Sequence, residues 1–212
     1  MSSQSLQIEQ KWKGLYNSVI PYYEMSRGYS GLINASISGK SLLYIFEKLG
    51  IKPQNMRVLD FGCGTGRTSV FMALKFGSSV LGIDYAEKRI QNGKEELRKI
   101  GIENLVKMET FDVRDYLVES HEQFDLILTF EIMEHLIHPE IVMQKLKGKI
   151  KPGGWLIGSC PLGQKPEQQH LSNFPTREDM ESQLGVKIVE NVPTRFGCQL
   201  VYCYQNVDEK KE

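Results

Sequence analysis

The amino-acid sequence predicts an α/β fold: a single doubly wound sheet preceded by an N-terminal helical cap. Three observations carry this expectation. From residue 56 onward, short apolar runs alternate with segments of helical periodicity, the pattern of βαβ units around a parallel sheet. The runs are nearly continuous in apolar residues, as in strands covered by helices on both faces. A glycine-rich turn, Gly62-Cys63-Gly64-Thr65-Gly66, joins the first run to the first helical segment, where an open α/β sheet places its ligand crevice.

Residues 1–50 show helical spacing at Leu6, Ile8, Trp12, Leu15 and Tyr16, and again at Leu42, Leu43, Ile45, Phe46 and Leu49. They read as a helical cap, broken by a Gly/Ser/Asn-rich stretch from Ser26 to Ser41. The strands fall at 56–60, 79–84, 105–110, 124–130 and 155–160, and the helices at 65–76, 86–100 and 139–150. A helix over 176–184 and two strands, 187–192 and 199–205, complete the pattern. Those last strands are close in sequence and predict an antiparallel hairpin at one end of the sheet. The expected units are therefore a cap over 1–50, a ligand-binding domain over 51–206 and a polar tail over 207–212.

Composition narrows the function. The 212 residues suit one domain, with 41% hydrophobic and 25% charged residues. Lys+Arg and Asp+Glu both number 26, so the strong basic field that non-specific nucleic-acid binding needs is missing. No apolar run reaches membrane-spanning length, and the first residues lack a secretory pattern. Cys63, Cys160, Cys198 and Cys203 are widely spaced with no CxxC. They read as reduced thiols in a cytoplasmic protein rather than a zinc ribbon or disulfide framework. Gly39-Lys40-Ser41 ends like a phosphate-binding loop, but Asn34 stands where the first glycine is needed.

The chemistry concentrates in Val58-Leu59-Asp60-Phe61-Gly62-Cys63-Gly64-Thr65-Gly66. Glycines permit a sharp turn and close approach of a ligand to the main chain. Asp84 ends the next strand, 24 residues after Asp60, where a carboxylate accepts from a ribose diol. The spacing is G-x-G-x-G, with Arg67 after Gly66, which is not the dinucleotide fingerprint. An acidic Asp60 beside the loop disfavours phosphate and suits an ammonium or sulfonium group. Later in the chain, Glu131, Glu134 and His135 stand at i, i+3 and i+4. On a helix they would share a face and hold a divalent metal or act as a base.

These segments resemble, in order and spacing over about residues 40–206, the class I S-adenosylmethionine-dependent methyltransferases. Gly82-Ile83-Asp84-Tyr85-Ala86, Phe111-Asp112-Val113, the run from Phe124 to Glu131, and Ile150 to Trp155 resemble that family's later motifs. The stretch Glu131-Ile132-Met133-Glu134-His135-Leu136 resembles ubiquinone-pathway O-methyltransferases and their small-molecule relatives. It also resembles RNA 3′-terminal 2′-O-methyltransferases, in which such residues with a later His bind metal. The resemblance implies a Rossmann-like seven-stranded sheet with the last strand antiparallel, and S-adenosylmethionine as cofactor with S-adenosylhomocysteine as product.

It further implies that Gly62, Gly64 and Gly66 face the methionine part, with Asp60 near its amino group. Asp84 would hold the ribose, Tyr85 and Val113 would pack on adenine, and Asp112 would accept from its amino group. The residues alone also admit Tyr85 as a surface side chain and Asp112 as a cap before Arg114, the less favoured readings. Thr129 to Glu131 would line the site.

The function expected is methyl transfer to an oxygen or nitrogen of a small-molecule acceptor. Glu131, His135 and His170 are the candidate catalytic residues, with Tyr22, Tyr23 and His170 at the acceptor. No metal is expected; the alternative is an ion on Glu131, Glu134, His135 and His170. The other readings are a metal-assisted RNA 2′-O-methyltransferase and a non-catalytic cofactor-binding regulator. Neither a membrane nor a nucleic acid is an expected partner.

Overall fold

The computed structural model describes residues 39–163, 170–194 and 197–207. The predicted N-terminal helix, Tyr22 and Tyr23 lie outside them. The chain runs through α1 (Gly39–Leu49), β1 (Arg57–Phe61), α2 (Arg67–Phe76), β2 (Ser79–Asp84), α3 (Glu87–Ile100) and β3 (Val106–Thr110). It continues through α4 (Val113–Glu119), β4 (Phe124–Phe130), a 3₁₀ turn (Met133–His135) and α5 (Pro139–Lys147). β5 (Ile150–Pro161), α6 (Arg177–Leu184), β6 (Lys187–Thr194) and β7 (Gly197–Gln205) complete it.

The sheet has seven strands in the order β3-β2-β1-β4-β5-β7-β6. The first five pair in parallel, and β7 runs antiparallel to both of its neighbours. The expected hairpin of β6 and β7 forms, with β7 inserted against β5.

Alternation along the strands sends successive side chains to opposite faces. Val58, Leu126, Leu128, Ile157 and Val201 face one side, with Leu42, Ile45 and Phe46 of α1, Phe71 and Met72 of α2, and Ile90 and Leu97 of α3. Leu59, Ile127, Leu156 and Tyr202 face the other, with Tyr116 of α4, Met143 and Leu146 of α5, and Met180 of α6. Helices α1–α3 thus cover the first face and α4–α6 the second. α1 falls within the predicted cap, yet its apolar side is part of the main core.

The structure departs from the sequence reading in three elements. α4 was not expected. Asp112 caps it, accepting from the Arg114 N–H at 3.0 Å, and this cap lets so short a helix begin. α5 stops at Lys147 instead of 150, because Ile150 already pairs with Phe124. β5 therefore starts at Ile150 and shifts register between Phe124 and Leu126, carrying the expected turn inside the strand as an irregularity.

Candidate functional site

At the carboxyl end of β1 the chain turns at Gly62, whose φ is 80°. The Gly62 and Cys63 N–H groups donate to the Ile83 carbonyl, at 2.9 and 3.0 Å, which ties the loop to β2. The Gly64 N–H donates to Asp84 Oδ2 at 2.9 Å, and Ala86 N–H donates to Oδ1 at 2.8 Å. Asp84 therefore braces the loop from one side and the start of α3 from the other. A Cβ at Gly62 would stand 2.3 Å from Ile132 Cδ1, so glycine is required there by contact as well as by backbone angle.

Asp60 lies buried beneath this loop, with Ser69 Oγ donating to its Oδ2 at 2.6 Å. Burial raises its carboxyl to about 6, and the nearby Asp84 charge adds to the rise, while the Ser69 hydrogen bonds oppose it. Asp84 is also raised by burial, against the pull of the two N–H groups and of Arg89.

The Phe111 N–H donates to the Asp84 carbonyl at 3.0 Å, which brings the 111–113 segment beside the half-buried Tyr85. Asp112 accepts from Arg114 through main chain and guanidinium, with Nη2 at 2.9 Å from Oδ2. Gly62, Gly64, Gly66, Asp60, Asp84, Tyr85, Asp112 and the main chain at Val113 thus lie around the ends of β1, β2 and β3.

Thr129 does not join them. Its side chain is fully buried, and its hydroxyl shares a 2.9 Å hydrogen bond with the Tyr202 hydroxyl from β7. The expectation that Thr129 lines the site is corrected: alternation along β4 turns it into the second-face core, with Ile127.

The expectation of one helical face for Glu131, Glu134 and His135 is corrected too. Only Met133–His135 is helical, as a single 3₁₀ turn, and Glu131 has a left-handed backbone with φ 55°. That turn breaks the alternation of β4. The Glu131 carboxylate accepts from Ser159 Oγ at 2.7 Å and from Gln199 Nε2 at 2.9 Å. Those two residues share the parity of Ile157 and Val201, so Glu131 sits toward the first face.

Glu134 points the other way. It is buried and accepts from the Cys160 thiol at 3.4 Å. Burial, and next the Glu131 charge, push its carboxyl well above the usual carboxylate range. Its main-chain carbonyl accepts from the N–H groups of Leu171 and Ser172 at 2.8 and 3.0 Å, which brings His170 over His135. Their rings meet edge to face, with centroids 5.2 Å apart. One ligand atom each from Glu134, His135 and His170 lies within 4.8 Å of the others, close enough to hold one ion. Glu131 is not in that group, so the four-residue metal set of the sequence reading reduces to three.

Sequence reasoning missed Ser69, Ser159, Cys160, Gln199 and Tyr202. Ser69 follows the loop by one helical turn and was open to inference. The others meet Glu131, Glu134 and Thr129 through strand pairing, for which no local spacing is a signal.

A family model described as a methyltransferase domain matches residues 52–195. Among curated proteins, the chain is 38% identical over 123 residues to a ubiquinone biosynthesis O-methyltransferase of Bordetella avium (strain 197N), covering 57% of this chain and 48% of that protein. It is 34% identical over 133 residues to phosphoethanolamine N-methyltransferase 1 of Zea mays, covering 62% of this chain and 26% of that protein. The chain thus spans about half the length, or less, of these curated relatives. The solved structure of the [4+2]-cyclase SpnF superposes with a TM-score of 0.68 at 15% identity, over 96% of each chain; at that identity the likeness concerns the fold.

Proposed function

The chain belongs to the methyltransferase domain family, and from that premise we propose that it transfers a methyl group from S-adenosylmethionine to an oxygen or nitrogen of a small-molecule acceptor. One observation supports this most: the glycine loop is tied through the Gly64 N–H to Asp84 and lies over the buried Asp60. A loop backed by two carboxylates repels phosphate and accepts a cationic amino acid group and a diol. The cofactor, when bound, supplies a methyl group on a positively charged sulfur.

In this reading each group of the chain has a stated task. Asp60, once ionised, pairs with the amino group of the methionine part. Asp84 has lone pairs beyond the two used by Gly64 and Ala86, and these take the ribose hydroxyls. Tyr85 packs on the adenine. Asp112 accepts from the adenine amino group, which draws it partly from Arg114. Gly62 and Gly66, both at a φ of 80°, let the loop lie close against Ile132 and Met108, so that its main chain is what faces the cofactor.

At the acceptor, Glu131 orients a hydroxyl or amine, and His135 with His170 accepts the proton that the acceptor loses. Tyr22 and Tyr23, which lie outside the described residues, are the aromatic residues proposed to contact the acceptor. Aligning the acceptor in line with the methyl group is the main catalytic contribution. Residues 51–206 form the cofactor-binding unit, with α1 packed into its core. Cys63, Cys160 and Cys203 are free thiols, which suits the reducing cytoplasm. Among the described residues, no helix is long and apolar enough to cross a membrane.

The test joins calorimetry with turnover. S-adenosylhomocysteine should bind with one site per chain, and methyl-labelled cofactor should label some members of hydroxyl- and amine-bearing acceptor pools. Binding without transfer to any pool would leave a cofactor-binding protein that is not a methyltransferase; no binding would refute the reading as a whole.

A further inference from the structure

The methyl-transfer reading leaves open how the acceptor is gripped, and the inference here rests on that reading. Glu131, Ser159 and Gln199 meet where β4 and β5 end and the antiparallel β7 begins. A left-handed backbone at a glutamate is strained. At this position it carries the carboxylate out of the strand alternation and onto Ser159 and Gln199. Both carboxylate oxygens are then held, one by each donor.

A carboxylate only accepts hydrogen bonds, so the amide nitrogen of Gln199, and not its oxygen, faces Glu131. This fixes which way the amide lies. Its Oε1 is on the far side of the amide group from that contact. Gln199 is 6% exposed, and its Oε1 is buried with no hydrogen-bond partner among the described residues. A buried carbonyl oxygen without a donor costs free energy that an apolar side chain of equal length would not. The group that complements it is an O–H or N–H.

We propose that Gln199 is an acceptor-recognition residue, anchored by Nε2 on Glu131 and accepting at Oε1 a hydrogen from the hydroxyl or amine of the acceptor. The ligand class that follows is narrow. A neutral hydroxyl or an amine brings the needed hydrogen. An ether or ketone brings none, and an anionic acceptor group is repelled by Glu131.

The test uses three simple probes: 4-ethylphenol, phenethylamine and tyramine, with ethylbenzene as the control that lacks a donor. In the wild-type protein loaded with S-adenosylhomocysteine, the side-chain amide resonances of Gln199 should shift with at least one donor probe and stay fixed with ethylbenzene. In Gln199→Met, methyl transfer to the responding probe should lose about tenfold or more in kcat/KM, through KM, equal to about 1.4 kcal/mol. Affinity for S-adenosylhomocysteine should stay within about twofold, since Gln199 lies outside the glycine-loop side. If the variant does not fold, the wild-type resonances decide alone. Unmoved resonances with all three donor probes, in protein that binds S-adenosylhomocysteine, overturn the assignment; so does an unchanged KM in a folded Gln199→Met. A wild-type protein that does not bind S-adenosylhomocysteine refutes the methyl-transfer reading instead, and this inference with it.

Discussion

Around the ends of β1 and β2 the polar groups come from residues 60 to 86 and are joined mostly through main-chain N–H groups. Around the ends of β4, β5 and β7 they come from residues 131 to 199 and are joined side chain to side chain. The first region is a local structure whose geometry follows from glycines and one strand pairing. The second exists only once the antiparallel β7 is seated against β5. The difference teaches that the proposed cofactor side is specified by a short stretch of chain, while the proposed acceptor side depends on the whole sheet. A substitution in the first should therefore act on cofactor affinity, and one in the second on acceptor kinetics.

Asp84→Ala gives the largest test of that division. It removes the acceptor for Gly64 and Ala86 and, in the proposed function, the partner of the ribose hydroxyls. At about 1.5–3 kcal/mol for each hydrogen bond to a charged group, two lost bonds weaken S-adenosylhomocysteine binding by about a hundredfold or more. Calorimetry checks it. Affinity within threefold of wild type would mean that Asp84 serves only the loop.

Legibility in the sequence followed the same division. Asp60, Gly62, Gly64, Gly66 and Asp84 stood out because a strand, a glycine turn and a second strand are consecutive in the chain. The central strands stood out for a related reason: buried on both faces, they read as apolar runs, whereas the edge strand β3 alternates buried with exposed residues. Glu131 and Glu134 were visible as residues but not as geometry. A left-handed backbone at Glu131 sends neighbouring carboxylates to opposite faces, and helical spacing had put them on one. Gln199 lies on a strand whose partner is set by tertiary pairing, so nothing near it in sequence linked it to Glu131. Thr129 misled because the residue that terminates the pattern of inward apolar positions is here a core hydroxyl, satisfied by Tyr202.

Gly62→Ala is the next largest effect and probes the seam between the two regions. Its Cβ would have to displace Ile132, the residue between Glu131 and Met133, and hold a φ near 80°. Left-handed strain of about 1–2 kcal/mol and overpacking of about 1–3 kcal/mol make a loss of roughly 2 kcal/mol or more. At about 2–4 °C per kcal/mol for a chain of this size, the melting midpoint falls by roughly 5 °C or more. If the regions are coupled only through this contact, acceptor kinetics fall along with cofactor affinity. A loss confined to stability would show that Ile132 yields without moving Glu131.

The pH dependence of cofactor binding is smaller and has a definite sign. The Asp60 carboxyl is raised from 3.8 to about 6 in the folded protein, by burial first. In the apo protein this group makes folding less favourable as pH rises from about 4 to 6, because the unfolded chain gives up the proton sooner. Binding of a cationic amino group has the opposite slope, since Asp60 must ionise to pair with it. Affinity for S-adenosylhomocysteine should fall about tenfold between pH 7 and pH 5, one pH unit below the titration point. Asp60→Asn should bind weakly at both values and flatten the profile. A wild-type profile without slope across this window would remove Asp60 from the cofactor's amino group.

The smallest effect expected is that of chelation, and it separates the two uses open to Glu134, His135 and His170. Their ligand atoms lie within 4.8 Å of one another, so spacing alone admits an ion. The chemistry of Glu134 points elsewhere. Its carboxyl is held toward the neutral acid by burial and by the Glu131 charge, and it takes a hydrogen bond from the Cys160 thiol. A neutral acid is a poor ligand for a hard divalent cation, which binds deprotonated carboxylates. The Glu134 main chain meanwhile pins Leu171 and Ser172, which places His170 beside His135 with no ion needed. Methyl transfer in excess EDTA should therefore stay within about twofold of the untreated rate, the range of an unperturbed enzyme rather than of a tenfold step. Restoration of a lost rate by added divalent ion, together with its loss in His170→Ala, would instead establish a metal centre on the second face. It would also make the contrast between the two regions one of chemistry as well as of construction.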